Sequence, residues 1–121
     1  MKDVAYKRVI LAEKVRNLIM DMIHDSPEPP AVNYSEYISK NLSVNYTVLS
    51  KSFSIASGMT IEKFIITEKI ERVKKLLTHH ELTLSEIARK LRYSSAAHLS
   101  AQFKRITGIT PSIYRKLAGP E

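Results

Sequence analysis

Apolar side chains recur along this chain with the spacing of helices rather than strands. In the segment 7–25 they return every three or four positions, as one helix face requires, at Leu11, Val15, Leu18 and Met22. The segment 61–78 repeats this period at Ile66, Ile70, Val73 and Leu77. The sequence shows no alternating β-branched runs joined by Asn-Gly turns, which are typical of hairpins. The pattern therefore predicts an all-α fold of about seven helices without a sheet.

Capping residues and helix breakers set the expected bounds of these helices. We predict helices over 7–25, 34–41, 46–56, 61–78, 84–91 and 96–106, and a short one that starts at Pro111. The proline-rich segment 26–30 should end the first of them. Side chains that suit helix N-termini are Asn33 and Thr83, each with Glu three residues later, and Thr60, Ser95 and Thr110. Gly58 and Gly108 suit left-handed C-terminal caps.

Two segments of the chain are weak copies of each other. At an offset of 50 residues the identical pairs are Leu49/Leu99, Ser50/Ser100, Phe53/Phe103, Gly58/Gly108 and Thr60/Thr110. Upstream the offset is 49, with Ile38/Ile87 and Leu42/Leu91, so the second copy has one extra turn residue. Each copy predicts a helix, a turn and a second helix. We therefore divide the chain into an N-terminal helix and linker (1–30), a first helix-turn-helix (31–59), a linker helix (60–80) and a second helix-turn-helix (81–121).

Charge and composition narrow the function of this tandem repeat. The net charge is +7, and residues 62–121 hold twelve Lys and Arg against six Asp and Glu. A basic chain with two helix-turn-helix units predicts a protein that binds duplex DNA, although a solvated basic surface would carry the same charge. There is no cysteine, which excludes disulfides, thiolate catalysis and Cys-based zinc sites. No run is apolar enough to span a membrane, and we expect a cytoplasmic protein.

The second copy resembles the C-terminal DNA-binding domain of AraC/XylS-type transcription regulators. The resemblance lies in Ser85-Glu-Ile-Ala-Arg-Lys-Leu-Arg-Tyr-Ser-Ser, Leu99-Ser, and Phe103-Lys-Arg-Ile-Thr-Gly-Ile-Thr-Pro-Ser-Ile-Tyr-Arg115. The first copy, with Leu42, Leu49, Phe53 and Gly58, is similar to that family's first helix-turn-helix. The resemblance implies a bacterial regulator that places two recognition helices in adjacent major-groove segments on one face of double-stranded DNA. RNA polymerase is a further candidate partner for such a regulator.

The chain departs from the family pattern in two respects. The family's usual Gly in the second turn is Arg92 here. Members often carry a sensing or dimerisation domain, for which this chain has no room beyond its N-terminal helix. We expect that domain to be missing, in either a minimal regulator or a fragment of a longer one. The N-terminal apolar stripe should pack on the first unit, or else extend into a dimer interface or the missing domain.

Helical geometry indicates which side chains of the first copy face DNA. If Leu49, Phe53 and Ala56 point inward, Thr47 and Lys51 point outward and Ser50 and Ser54 flank them. Outward residues of a helix in the major groove reach base edges, and a lysine can donate to guanine. The resemblance implies the same base-reading positions. The predicted base-reading residues of this copy are Asn45, Tyr46, Thr47, Ser50 and Lys51, and Ser54 is predicted to contact the DNA backbone.

The second copy predicts a weaker base readout. With Leu99, Phe103 and Ile106 inward, Ala97 and Ala101 point outward, where relatives often have Arg in place of Ala101. Alanine can contact only a thymine methyl or allow close approach. The predicted base-facing residues are Ala97, His98 and Ala101, with His98 at the rim. The predicted DNA-backbone contacts are Arg92, Ser95, Ser100, Lys104 and Arg105.

Two other classes of function compete with DNA binding. An enzyme is disfavoured because the chain lacks G-x-S-x-G, a phosphate loop and H-E-x-x-H. The adjacent His79 and His80 diverge on a helix and make a poor metal pair, so we predict no metal site and no cofactor. A helix-turn-helix module that binds protein instead of DNA remains the alternative, favoured by the bare face of Ala97 and Ala101.

Overall fold

Helices account for the regular structure of the chain. The computed structural model describes residues 2–25 and 33–119, in which there are seven α-helices and no strand. The helices are α1 (Lys2–Met20), α2 (Tyr34–Leu42), α3 (Tyr46–Ser57), α4 (Ile61–His79), α5 (Leu84–Lys90), α6 (Ala96–Thr107) and α7 (Pro111–Ala118). A π-helical turn, Asp21–Asp25, follows α1. The all-α prediction is confirmed, although α1 begins earlier than expected. The predicted proline-rich linker 26–30 lies outside the described residues.

The predicted capping residues begin and end the helices as expected. The Asn33 side chain accepts from the Glu36 N–H at 2.8 Å and caps α2. Thr83 and Glu86 form both halves of a capping box at α5, at 3.1 and 2.8 Å. These hydrogen bonds with Thr83 hold the pKa of the exposed Glu86 carboxyl below its usual value. Gly58 and Gly108 adopt φ of 78° and 89°, the left-handed region that glycine reaches without a Cβ clash.

Residues 1–66 form the first of two compact units, whose boundary falls within α4. Its hydrophobic core draws on α1, the π-helical turn, α2, α3 and the start of α4, and the polar Ser52 of α3 is buried as well. From α1 it takes Ala12, Val15 and Ile19, which pack mainly against α3. The predicted packing of the N-terminal stripe on the first unit is therefore confirmed, with Leu11 and Leu18 half-buried at its edge.

Residues 67–121 form the second unit. The rest of α4 contributes Ile70, Val73 and Leu77 to its interior. Ile87 of α5, Leu91 directly after it, and Leu99 and Phe103 of α6 are each at most 2% exposed. The Phe103 ring packs edge-on against Tyr114 of α7, with ring centroids 5.6 Å apart. Arg115 of α7 donates to the Leu82 carbonyl at 2.7 Å and to the Leu77 carbonyl at 3.1 Å, which fastens α7 to the end of α4.

No helix within the described residues is both long and apolar enough to cross a membrane.

Candidate nucleic-acid interface

Helix α3 is the second helix of the first motif and presents a polar outer face. Asn45 precedes it, and its side chain accepts from the Thr47 N–H at 2.8 Å. Leu49 and Phe53 are fully buried on the inner side. On the other side, Thr47 and Lys51 are exposed and Ser50 and Ser54 are half-buried. The four residues, called here the outer face of α3, therefore share one accessible surface.

The inward face of each recognition helix differs from the prediction at its last position. Ala56 and Ile106 were expected to pack inward, but both are exposed, Ile106 by 44%. The core residues that cover the first two turns of each helix do not reach its last turn, so the side chain there stays exposed. The third inward position is instead polar, with Ser52 in α3 and Gln102 in α6, which are 5% and 9% exposed.

Tyr46 is less available than its neighbours in the predicted base-reading set. Its ring packs against the first core, and its hydroxyl donates to the Glu62 carboxylate of α4 at 2.7 Å. Burial, followed by this hydrogen bond and the charge of Glu62, raises the pKa of the Tyr46 hydroxyl. The first turn of α3 is thereby tied to α4, and Asn45 remains exposed beside it.

Helix α6 is the second helix of the second motif and presents a less polar outer face. Ala97, His98 and Ala101 are all exposed there. Ser95 caps the helix by accepting from the His98 N–H at 3.0 Å. The predicted backbone contacts Arg92, Ser95, Lys104 and Arg105 are exposed as well, and Ser100 is half-buried. Both predicted sets are therefore accessible from solvent.

A positively charged residue in the turn of the second motif, Arg92, has an uncommon backbone conformation. Arg92 has a φ of 64°, the left-handed region that glycine adopts most readily. It lines an open cleft with Arg89, Ser94 and Ser95. Ser43, in the turn of the first motif, has a similar φ of 54°. Sequence reasoning did not single out Arg89, which adds a second guanidinium to this cleft.

A buried polar cluster in the second unit was also missed. Lys69 of α4 is only 9% exposed, and its Nζ lies 4.0 Å from the centroid of the Tyr93 ring. The Tyr93 hydroxyl donates to Gln102 Oε1 at 2.6 Å. Lys69 comes three residues after Ile66 and four before Val73, so its place on the apolar stripe of α4 was the available signal.

Comparison with known proteins places the two motifs in one family. The helix-turn-helix domain family matches residues 38–117. The transcriptional activator RhaR of Salmonella arizonae is 35% identical over 71 residues, which are 59% of this chain. The matched segment spans only 25% of the length of that relative.

Solved structures share the same fold. An AraC-type transcriptional regulator from Chromobacterium violaceum is similar, with a TM-score of 0.76 and 20% identity over 90% of this chain and 92% of that one. The DNA-binding domain of AdpA, solved in complex with a target DNA, has a TM-score of 0.72 and 18% identity over 88% of this chain and 90% of its own. With the family match over two-thirds of the sequence, the chain belongs to the helix-turn-helix domain family of the AraC type.

Proposed function

We propose that this chain is the DNA-binding module of a transcription regulator and recognises specific sequences in duplex DNA. The outer face of α3 carries this proposal, because its exposed Thr47 and Lys51 stand opposite the fully buried Leu49 and Phe53. A helix fixed on one side by a core and polar on the other can enter a major groove and present its side chains to base edges. Family membership and the DNA complex of AdpA support the same function.

The two recognition helices divide the work in this proposal. Helix α3 reads bases through Asn45, Thr47, Ser50 and Lys51, whose side chains can form hydrogen bonds. The outer face of α6 offers two alanines, so the second motif docks mainly on phosphates, through Lys104, Arg105, Ser95, Ser100 and Arg92. Phosphate contacts set affinity and register, whereas base contacts set sequence preference.

The proposed complex places α3 and α6 in adjacent segments of the major groove. Such a protein protects two short elements about 10–10.5 base pairs apart. Selection of bound fragments from genomic DNA, followed by footprinting of the recovered site, measures this spacing. A single protected element, or two elements at variable spacing, would contradict the adjacent arrangement.

The finer aspects of this function are proposals too. We propose a binding rather than a catalytic role, because the relatives are named as transcriptional activators and regulators. RNA polymerase is a candidate partner, and the cytoplasm, where bacterial DNA lies, is the proposed location. Because the match covers a quarter of the length of RhaR, a sensor or dimerisation domain in a longer protein is also proposed.

Two lysine variants test the division of work. Lys51→Ala should lose about 1–3 kcal/mol of discrimination between the selected site and a scrambled duplex, since a base contact is removed. Lys104→Ala should weaken both duplexes alike and flatten the slope of log affinity against log salt by about 0.9. Lys14→Ala, which alters an exposed lysine of α1, is the matched control and should change neither quantity.

The same titrations separate this proposal from the protein-interaction alternative. Equal loss of discrimination in Lys51→Ala and Lys104→Ala would reject the division of work between α3 and α6. Absence of any mobility shift with random genomic fragments at low salt, for a protein whose circular dichroism shows a folded helical state, would reject DNA binding itself.

A further inference from the structure

Tyr93 occupies a central place in the second motif, in the turn between α5 and α6. The residue is 7% exposed, and its side chain contacts side chains from α4 and α6. Lys69 of α4 lies over the ring face, with Nζ 4.0 Å from the centroid. The hydroxyl donates to Gln102 of α6 at 2.6 Å. The His98 ring of α6 packs edge-on, with the ring centroids 5.3 Å apart and the planes at 83°.

Lys69 is a charged residue at a buried position of α4, where apolar side chains are usual. Burial lowers the pKa of Lys69 to about 8, so the ammonium is still protonated at neutral pH. An ammonium over an aromatic face is attracted by the ring, and the attraction is stronger when water is excluded. The contact therefore fixes the position of the Tyr93 ring relative to α4.

The Tyr93 side chain contacts α6 at one residue on the inner side of the helix and at one residue on its outer side. Gln102 is buried and lies on the inner side. His98 is exposed, lies on the proposed DNA-facing side, and has its Nδ1 3.1 Å from Ser94 Oγ. A shift of the Tyr93 ring would therefore change the seating of α6 and the orientation of His98 together.

We infer that Tyr93, held by Lys69, is a positioning residue for recognition helix α6, and that both residues set DNA affinity without touching DNA. The inference rests on the proposed function, because it concerns the side of α6 assigned to DNA. Lys69 is too buried to neutralise a phosphate, unlike the exposed Lys104. The two lysines should consequently differ in how their loss depends on salt.

Salt titration of DNA binding distinguishes a positioning lysine from a phosphate contact. Lys69→Met keeps the length of the side chain but removes the charge, and should weaken binding by about fivefold to thirtyfold. The slope of log affinity against log salt should stay unchanged, because no phosphate contact is lost. Lys69→Arg keeps a cation over the ring and should restore most of the affinity. A slope flattened by about 0.9 in Lys69→Met would overturn the inference.

A measurement without DNA separates this inference from the proposed function. The NMR resonances of the His98 imidazole and the Tyr93 ring should move in Lys69→Met and stay in place in Lys104→Ala. Unmoved His98 resonances in Lys69→Met would overturn the inference even if DNA binding is normal. If the unaltered protein binds no DNA, the proposed function fails, while the resonances still decide whether Lys69 positions His98.

A milder variant covers the case in which Lys69→Met does not fold. Tyr93→Phe keeps the ring and its contact with Lys69 but removes the hydrogen bond to Gln102. It should leave the protein folded, as judged by circular dichroism, and shift the His98 resonances while leaving the salt slope unchanged. Tyr93→Phe with both affinity and His98 resonances unaltered would contradict the positioning role.

Discussion

The two units are built on copies of one motif but stabilise it differently. In the first, α1 packs against the motif, the core is largely apolar with the polar Ser52 also buried, and Arg16 lies over the Phe64 ring, its Cζ 5.0 Å from the ring centroid. The second takes Ile70, Val73 and Leu77 from α4 and also buries Lys69 and Gln102, each in contact with Tyr93. The repeated sequence pattern thus produces the same motif in both units, whereas the side chains that pack against α3 differ from those that pack against α6.

The outer faces of α3 and α6 also differ between the two units. Helix α3 presents Thr47 and Lys51, and α6 presents Ala97 and Ala101 at the equivalent positions. The first unit carries most of the polar side chains that are predicted to read bases. The unit with the buried polar cluster holds most of the predicted phosphate contacts. The two copies have therefore diverged both in their interiors and on their outer faces.

The most severe test of the comparison removes the central ring of each unit. Phe53→Ala and Phe103→Ala should each lower the free energy of unfolding by about 3–5 kcal/mol, because both rings are fully buried. Urea unfolding followed by circular dichroism measures this. Ile55→Ala and Ile106→Ala, which alter exposed side chains of the same helices, are the controls and should stay within about 0.5 kcal/mol. A loss in only one Phe variant would show that one unit contributes little to stability.

A double-mutant cycle tests whether the second unit depends on its polar cluster. Tyr93→Phe alone leaves the buried Gln102 oxygen without the hydroxyl donor and should cost about 1–3 kcal/mol. Gln102→Leu alone should cost a similar amount. Together the two changes should cost less than their sum, because an apolar pair replaces both partners. Strictly additive losses in urea unfolding would argue that the hydrogen bond does not couple these residues.

Glycine substitutions compare the turns of the two motifs. Ser43 and Arg92 both have positive φ. The left-handed conformation costs about 1–2 kcal/mol, partly offset by the larger chain entropy of glycine. Ser43→Gly and Arg92→Gly should therefore each stabilise the protein by about 0.5–1 kcal/mol. Only Arg92→Gly should also flatten the salt slope of DNA binding, by about 0.9. The same flattening in Ser43→Gly would remove the assignment of Arg92 to a phosphate.

A pH dependence of stability is expected from the second unit. Burial lowers the pKa of Lys69 from 10.5 to about 8. Between these values the unfolded chain binds a proton that the folded chain has released, so the free energy of unfolding rises with pH. Lys69→Met should lose this rise.

Tyr46 of the first unit limits the pH range over which the effect of Lys69 can be measured. Its pKa is raised, so stability falls as the pH increases beyond the ordinary tyrosine value of 10.0. Urea unfolding between pH 8 and 10 therefore isolates the contribution of Lys69. An identical slope in the unaltered protein and in Lys69→Met would show that Lys69 is not its source.

Local signals made much of the fold predictable. The caps Thr83 and Gly108 act on backbone groups within a few residues, so their effect is readable from adjacent letters. The outward direction of Thr47 and Lys51 followed from the position of Phe53 on the same helix. Ala56 and Ile106 were misjudged because helical periodicity gives a direction but does not show how far the surrounding core extends along the helix.

The sequence by itself determined seven helices, their caps, the tandem motif and the exposed faces of α3 and α6, because each depends on spacing within one segment. Only the tertiary structure decided that Lys69, Tyr93 and Gln102 come together, since they lie on different segments and nothing in their spacing requires contact. It also decided that Arg92 adopts a left-handed conformation, and that α1 packs on the first unit rather than remaining free for a dimer interface. These features depend on packing between segments, where burial outweighs the local preference of a residue.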